Sequence, residues 1–250
     1  MSDSLETSAE IAKATQEVAK ATAKSIEAAR EAGGFIAKYV NGPLEQGMAI
    51  FEDKLKYIRW ERQVDFMLKA DRKLKALGLA TPDRAIPPKL AIPLLEGAAL
   101  EDNDDLQDRW ANLLVNAAKS DSGIELRRVY IEILSQISPL EAQVLDKIYG
   151  YPQNAANPVL LYTAGLPDSV QAVFDPASST NTIGLTGEVQ KLESTSASPS
   201  DEIVLALANL QRLGCVRAGG TYGGGESFNW INQTLLGRSF VEACQLRKAP

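Results

Sequence analysis

The sequence predicts a mainly α protein, with a helical N-terminal body followed by a winged-helix-like α+β module. Three observations carry this expectation. Apolar residues recur at helical spacing through most of the first 150 positions, as in Leu106, Trp110, Leu113, Leu114 and Ala117. Composition shifts to Pro, Asn, Ser, Thr and Gly between 152 and 199. Beyond that stretch the pattern is one helix, two short strands around a Gly-rich tip, and a last helix.

Residues 5–32 are rich in Ala, Glu and Lys and predict a long helix with a thin apolar stripe at Ile11, Val18 and Ile26. So thin a stripe buries little, so these three residues are candidates for an assembly helix that docks on another chain. Gly33 and Gly34 end it, and residues 35–41 predict a short helix. Pro43 then opens a helix expected to reach about residue 77. Its second half places Trp60, Val64, Met67 and Leu68 inward. Arg62, Phe66, Lys69 and Lys73 fall on another face, flanked by Arg59 and Arg72, and form the densest basic patch in the chain. Cations around an aromatic ring suit phosphate contact and base stacking. Glu61, Asp65 and Asp71 interrupt the patch, so a solvated or protein-contacting face is the competing reading.

Helices are expected next over 88–100 and 104–118, packed as a hairpin, then over 126–137 and from Pro139 to about residue 149 behind a Ser138/Glu141 capping box. The loop-rich stretch admits one or two strands in its apolar runs at 159–162 and 183–192. A helix over 201–213, strands over 215–218 and 227–233, and a helix capped by Thr234 complete the chain. The implied divisions are 1–34, an Ala-rich helix; 35–150, a helical domain; 151–198, a linker or insertion; and 199–250, the winged-helix-like module.

Chemistry is bounded mainly by what is missing. The 250 residues include no histidine, which removes the usual neutral-pH general base and the commonest metal ligand. Cys215 and Cys244 have no CxxC spacing and read as reduced, small hydrophobes. The acidic run Glu101, Asp102, Asp104, Asp105 and Asp108 lacks the spacing of a calcium loop, so Asn103 or Asp104 reads as a helix cap and the carboxylates as partners of the helix dipole. GGTYGGG at 219–225 lacks the ending of a phosphate-binding loop and reads as a wing tip. Trp110 reads as core. No metal, no cofactor and no catalytic residue is expected. A net charge of −6 disfavours wholesale attraction to nucleic acid or anionic lipid. No apolar run approaches bilayer-spanning length, and the chain reads as cytoplasmic.

The runs PLLEGAALEDNDDLQDRWANLLVNA and ELRRVYIEILSQISPLEAQVLDKIY resemble the abortive infection alpha family of bacterial proteins. GGFIAKYVNGPLEQ, DKLKYIRWERQ, NLQRLGCV and TLLGRSFVEAC support the resemblance, which is best over 33–150, weaker over 199–244, and absent from most of the linker. It implies a role in phage defence and no catalytic residues. The expectation is a nonenzymatic anti-phage protein acting through self-assembly or another protein partner, with the inner membrane surface as a further place of peripheral contact. The alternative is a winged-helix nucleic-acid-binding regulator.

Overall fold

The computed structural model describes residues 34, 35, 37–39, 60–152, 160–172, 198–220 and 225–246. The expected assembly helix with Ile11, Val18 and Ile26 lies outside them, as do Arg59, the first half of the helix begun at Pro43, and the apolar run at 183–192. The chain is mostly helical, with a small antiparallel sheet in its C-terminal part. It divides into two compact units, Met1–Arg127 with Leu246–Pro250, and Arg128–Gln245.

In the first unit, α1 (Trp60–Ala76) packs on both α2 (Pro88–Leu100) and α3 (Asp104–Ala117). α3 starts where expected because the Asn103 side chain accepts from the backbone N–H groups of Asp105 and Leu106, satisfying two donors the helix cannot. Its stripe of Leu106, Trp110, Leu113, Leu114 and Ala117 is buried throughout. The indole of Trp110 lies over Gly97 of α2, where an added Cβ would stand 2.5 Å from the Trp110 ring. Only glycine allows the two helices this approach.

The buried face of α1 differs from the expected one. Phe66, Ala70 and Leu74, spaced i, i+4, i+8, form the inner stripe, whereas Leu68 is exposed and Val64 and Met67 are half-buried. Phe66 packs edge-on against Phe35, with ring centroids 6.1 Å apart, and Phe35 meets Tyr39 at 4.9 Å. The signal that decides the face is therefore an aromatic cluster with residues some 30 positions upstream, which helical periodicity within α1 does not contain.

The Pro-rich connection after α1 also has a structural task. The backbone N–H groups of Asp83 and Arg84 both reach the Ala118 carbonyl. Arg84 donates to the carbonyls of Ala117, Asn116 and Ile124, which completes the C-terminal end of α3 with a cation at the negative pole of its dipole. Asp83 accepts from the Ser120 N–H at 2.7 Å and its hydroxyl at 2.8 Å, and these bonds hold its carboxyl below the ordinary range.

The second unit comprises α4 (Arg128–Leu134), α5 (Pro139–Gly150), β1 (Leu161–Tyr162), β2 (Gln171–Ala172), α6 (Asp201–Arg212), β3 (Val216–Gly220), β4 (Glu226–Gln233) and α7 (Leu235–Ala243). α4 is shorter than the helix expected over 126–137, while α5 carries the expected box, the Ser138 hydroxyl receiving the Glu141 N–H and the Glu141 carboxylate receiving the Ser138 N–H. Ser200 and Thr234 cap α6 and α7 through bonds from Ile203 and Gly237. The strands pair antiparallel in the order β2-β1-β4-β3, with an irregularity between Ala218 and Gly219. β1 and β2 are two residues each, and β1 lies against the distant β4. The inward row, Leu161 and Ile231, is fully buried.

Candidate functional site

The basic patch faces the acidic start of α3. Arg62 Nη1 donates to the Asp102 carbonyl at 2.7 Å, and the Gln107 amide returns a bond to the Arg62 carbonyl at 3.2 Å. Lys69 Nζ stands 3.0 Å from Asp104 Oδ1 and 3.7 Å from Asp108 Oδ1, while Lys73 Nζ stands 3.0 Å from Asp108 Oδ2. The two lysine side chains are only 15% and 17% exposed, because their stems run along the apolar seam before their heads emerge at the carboxylates. The hydrogen bond from Lys69 and its charge hold the Asp104 carboxyl below its usual value of 3.8.

This arrangement changes the meaning of the six residues singled out as a binding surface. Phe66 is buried and unavailable for stacking. Arg62, Lys69 and Lys73 are engaged by Asp102, Asp104 and Asp108. Arg72 remains exposed, with Nε bonded to the Leu68 carbonyl one turn earlier. The acidic run and the basic patch, two separate features in the sequence, are the two sides of one helix seam. Asn103 is the cap, and Glu101 accepts the Asn103 N–H at 2.9 Å. Among the described residues no group of three or more acidic or thiol side chains converges as a metal site.

The second unit holds a different polar centre. The Tyr149 hydroxyl donates to the Cys215 carbonyl and accepts the Thr234 N–H at 3.0 Å. Thr234 Oγ1 donates to the Gly214 carbonyl at 2.7 Å and accepts the Gly237 N–H at 2.9 Å. A Cβ at Gly237 would collide with Tyr149 Oη and the Cys215 carbonyl, so glycine lets α7 begin against this hub. Gln233 adds bonds from its amide to the Ile148 and Tyr151 carbonyls. Burial raises the Tyr149 hydroxyl above its ordinary value and pushes the Cys215 thiol up to about 12, with Glu141 adding to the latter. A thiol held neutral in this way is a weak nucleophile. Cys244 is likewise buried, and neither cysteine forms a disulfide.

Against this geometry, a family model described as abortive infection alpha matches residues 61–244. The chain belongs to the abortive infection alpha family. No curated protein and no solved structure matches it. The match begins at the second residue of α1 and continues past the end of α7, so the abortive infection alpha region takes in both units. It also runs through 151–198, over most of which the sequence shows no resemblance, and leaves out 33–60, where GGFIAKYVNGPLEQ and most of DKLKYIRWERQ lie. Trp110, Arg62, Lys69 and Lys73 all fall inside it, and Ile11, Val18, Ile26 and Arg59 fall before it.

Arg84 and Gln211 escaped the sequence reading. Arg84 sits in a segment whose prolines suggested only a connection. Gln211 lies at the end of α6, where its side chain accepts the Ala218 N–H at 2.5 Å and donates to Glu226 at 2.5 Å. It thereby occupies part of the outer edge of β3, a position open to strand addition. No spacing in the sequence announces either role.

Proposed function

We propose that this chain is a bacterial anti-phage protein of the abortive infection type, acting by binding itself or another protein and performing no covalent chemistry. The family match over 61–244 carries the defence role. The binding mode is supported by how the reactive groups are disposed. There is no histidine to serve as a base, Cys215 and Tyr149 are held neutral by burial, and the nearest thing to a charged site is engaged within its own helix seam. Large apolar side chains meanwhile stand outward on the second unit, Leu205 of α6 at 72% exposure and Leu235 of α7 at 81%. Among the described residues no helix is long and apolar enough to cross a membrane, so protein contact is favoured and lipid contact, if used, is peripheral. A cytoplasmic location suits this reading.

The winged-helix-like reading of the C-terminal module draws support from α6 preceding the β3–β4 hairpin and from β4 lying between β1 and β3. The duplex-reading use of such a module has little support, because Arg212, the cation of α6, bonds to Asn209 and Gln136, and Asp201 and Glu202 open the helix.

Phage plating on cells expressing the wild-type chain or Leu205→Glu/Leu235→Glu, with intact-mass measurement of each purified protein, tests the proposal. The wild type should protect and purify as an assembly. The substituted protein should fold, lose mass and lose protection. A monomeric wild type with no copurifying protein, fully protective, would overturn the reading.

A further inference from the structure

We propose that the outward face of the sheet is a stacking platform for single-stranded nucleic acid, an activity separate from the protein contacts above. Strand register defines this face. Directly opposed residues of antiparallel strands share a side of the sheet, and Leu161 opposite Ile231 marks the buried side. The next row must point the other way: Tyr162 is opposed to Gln171 on one flank and to Trp230 on the other. Two positions along β4, Asn232 is opposed to Arg217. Trp230 is 37% exposed and Arg217 is exposed, whereas their inward neighbours Ile231 and Val216 are buried.

A glycine supports the indole. Gly219 approaches the Trp230 carbonyl so closely that a Cβ would stand 3.3 Å from it and 3.8 Å from Trp230 Cδ1. The backbone of Gly219 therefore lies close beside Trp230. Among the described residues opposed in these rows, the outward set is two aromatic rings in adjacent strands, two amides and one guanidinium.

That composition selects the occupant. Rings on a sheet surface stack on the faces of unpaired bases, amides bond to base edges, and a guanidinium meets phosphate or stacks. A duplex hides its base faces and offers this surface little. A proline-rich peptide would use the rings but would leave Arg217, the cation among the described residues of these rows, without an anionic partner. A single cation in a chain of net charge −6 also implies binding driven by stacking, so the dependence on salt should be shallow, with a log–log slope near about −0.7 for one phosphate.

The test is fluorescence anisotropy of the full chain with fluorescein-labelled, mixed-sequence ten-nucleotide RNA and DNA, competed with unlabelled duplex and with a proline-rich peptide. The expected result is binding of single strands, at least tenfold poorer competition by duplex, and a shallow salt slope. Trp230→Ala should weaken binding about tenfold while Trp230→Phe retains it, and Arg217→Gln should flatten the salt slope. Unchanged melting temperatures would tie those losses to the surface. Absence of single-strand binding, equal affinity in Trp230→Ala, equal competition by duplex, or displacement by the peptide overturns the proposal.

Discussion

The two units use polar groups in opposite ways. In the first, cations and carboxylates meet along a seam between α1 and α3, and what looked like a binding surface is part of how two helices find their register. In the second, neutral groups do the joining: a tyrosine hydroxyl, a threonine and a glutamine tie α5 to the start of α7, while aromatic and amide side chains lie on the side of the sheet opposite Leu161 and Ile231. Charge density in a sequence is therefore a poor guide to which charged side chains lack partners within the fold. Here the acidic start of α3 lies beside the lysine-bearing face of α1 and supplies its partners.

The largest effect expected within this comparison belongs to the first unit's core. Trp110→Ala should cost about 3–5 kcal/mol, a loss seen directly in thermal melting. Gly97→Ala sharpens the point by its sign. At an exposed helical site this change stabilises by up to about 1 kcal/mol, but against the Trp110 ring it should destabilise by about 1–3 kcal/mol. A stabilised Gly97→Ala protein would show that the indole does not lie where described.

Next comes the hub of the second unit. Tyr149→Phe keeps the ring and removes the hydroxyl, leaving the Cys215 carbonyl and the Thr234 N–H without that partner. A loss of about 1–3 kcal/mol in urea unfolding is expected. A smaller pair of changes compares the units on equal terms: Asn103→Ala and Ser138→Ala each remove a helix cap and should each cost about 1 kcal/mol. If only one of them mattered, the helix with the silent cap would be held by packing alone.

The smallest effect is electrostatic and depends on pH. Lys69 depresses the Asp104 carboxyl, so the pair's contribution is fully present above the unfolded-state value near 3.8 and disappears as pH falls through the lower folded value. Lys69→Met should therefore melt lower than wild type at neutral pH, and the gap should narrow below about pH 4. Asp104 is highly exposed, so added salt should shrink the gap as well.

Much of the fold was legible because local rules decide it. Asn103, Ser138 and Thr234 announce helix starts by their side-chain oxygens, and the α3 stripe fixes which face of Trp110's helix is buried. What escaped depends on contacts between distant positions. The periodicity of α1 puts Phe66 outward because its cluster with Phe35 and Tyr39 forms across the chain, and the sequence separates Lys69 and Lys73 from Asp104 and Asp108 for the same reason. β1 falls within the apolar run 159–162 that admits a strand, whereas β2 is too short to carry an alternating pattern and is defined by its pairing alone. The platform row of Tyr162, Trp230 and Gln171 comes from three separate stretches and exists only once the register is known.

The measurement that bears most directly on the contrast between the units is a charge exchange at Lys73 and Asp108, scored for both melting temperature and protection against phage. Lys73→Asp and Asp108→Lys should each lower the melting temperature, and the double exchange should restore most of it, since the 3.0 Å pair is re-formed in reverse while Lys69, 3.7 Å from Asp108, then faces a lysine. If Lys73 serves only the seam, protection returns with stability. A doubly exchanged protein that melts like the wild type yet fails to protect would show that the lysine itself recognises something, and the account of the first unit as a closed seam would be wrong.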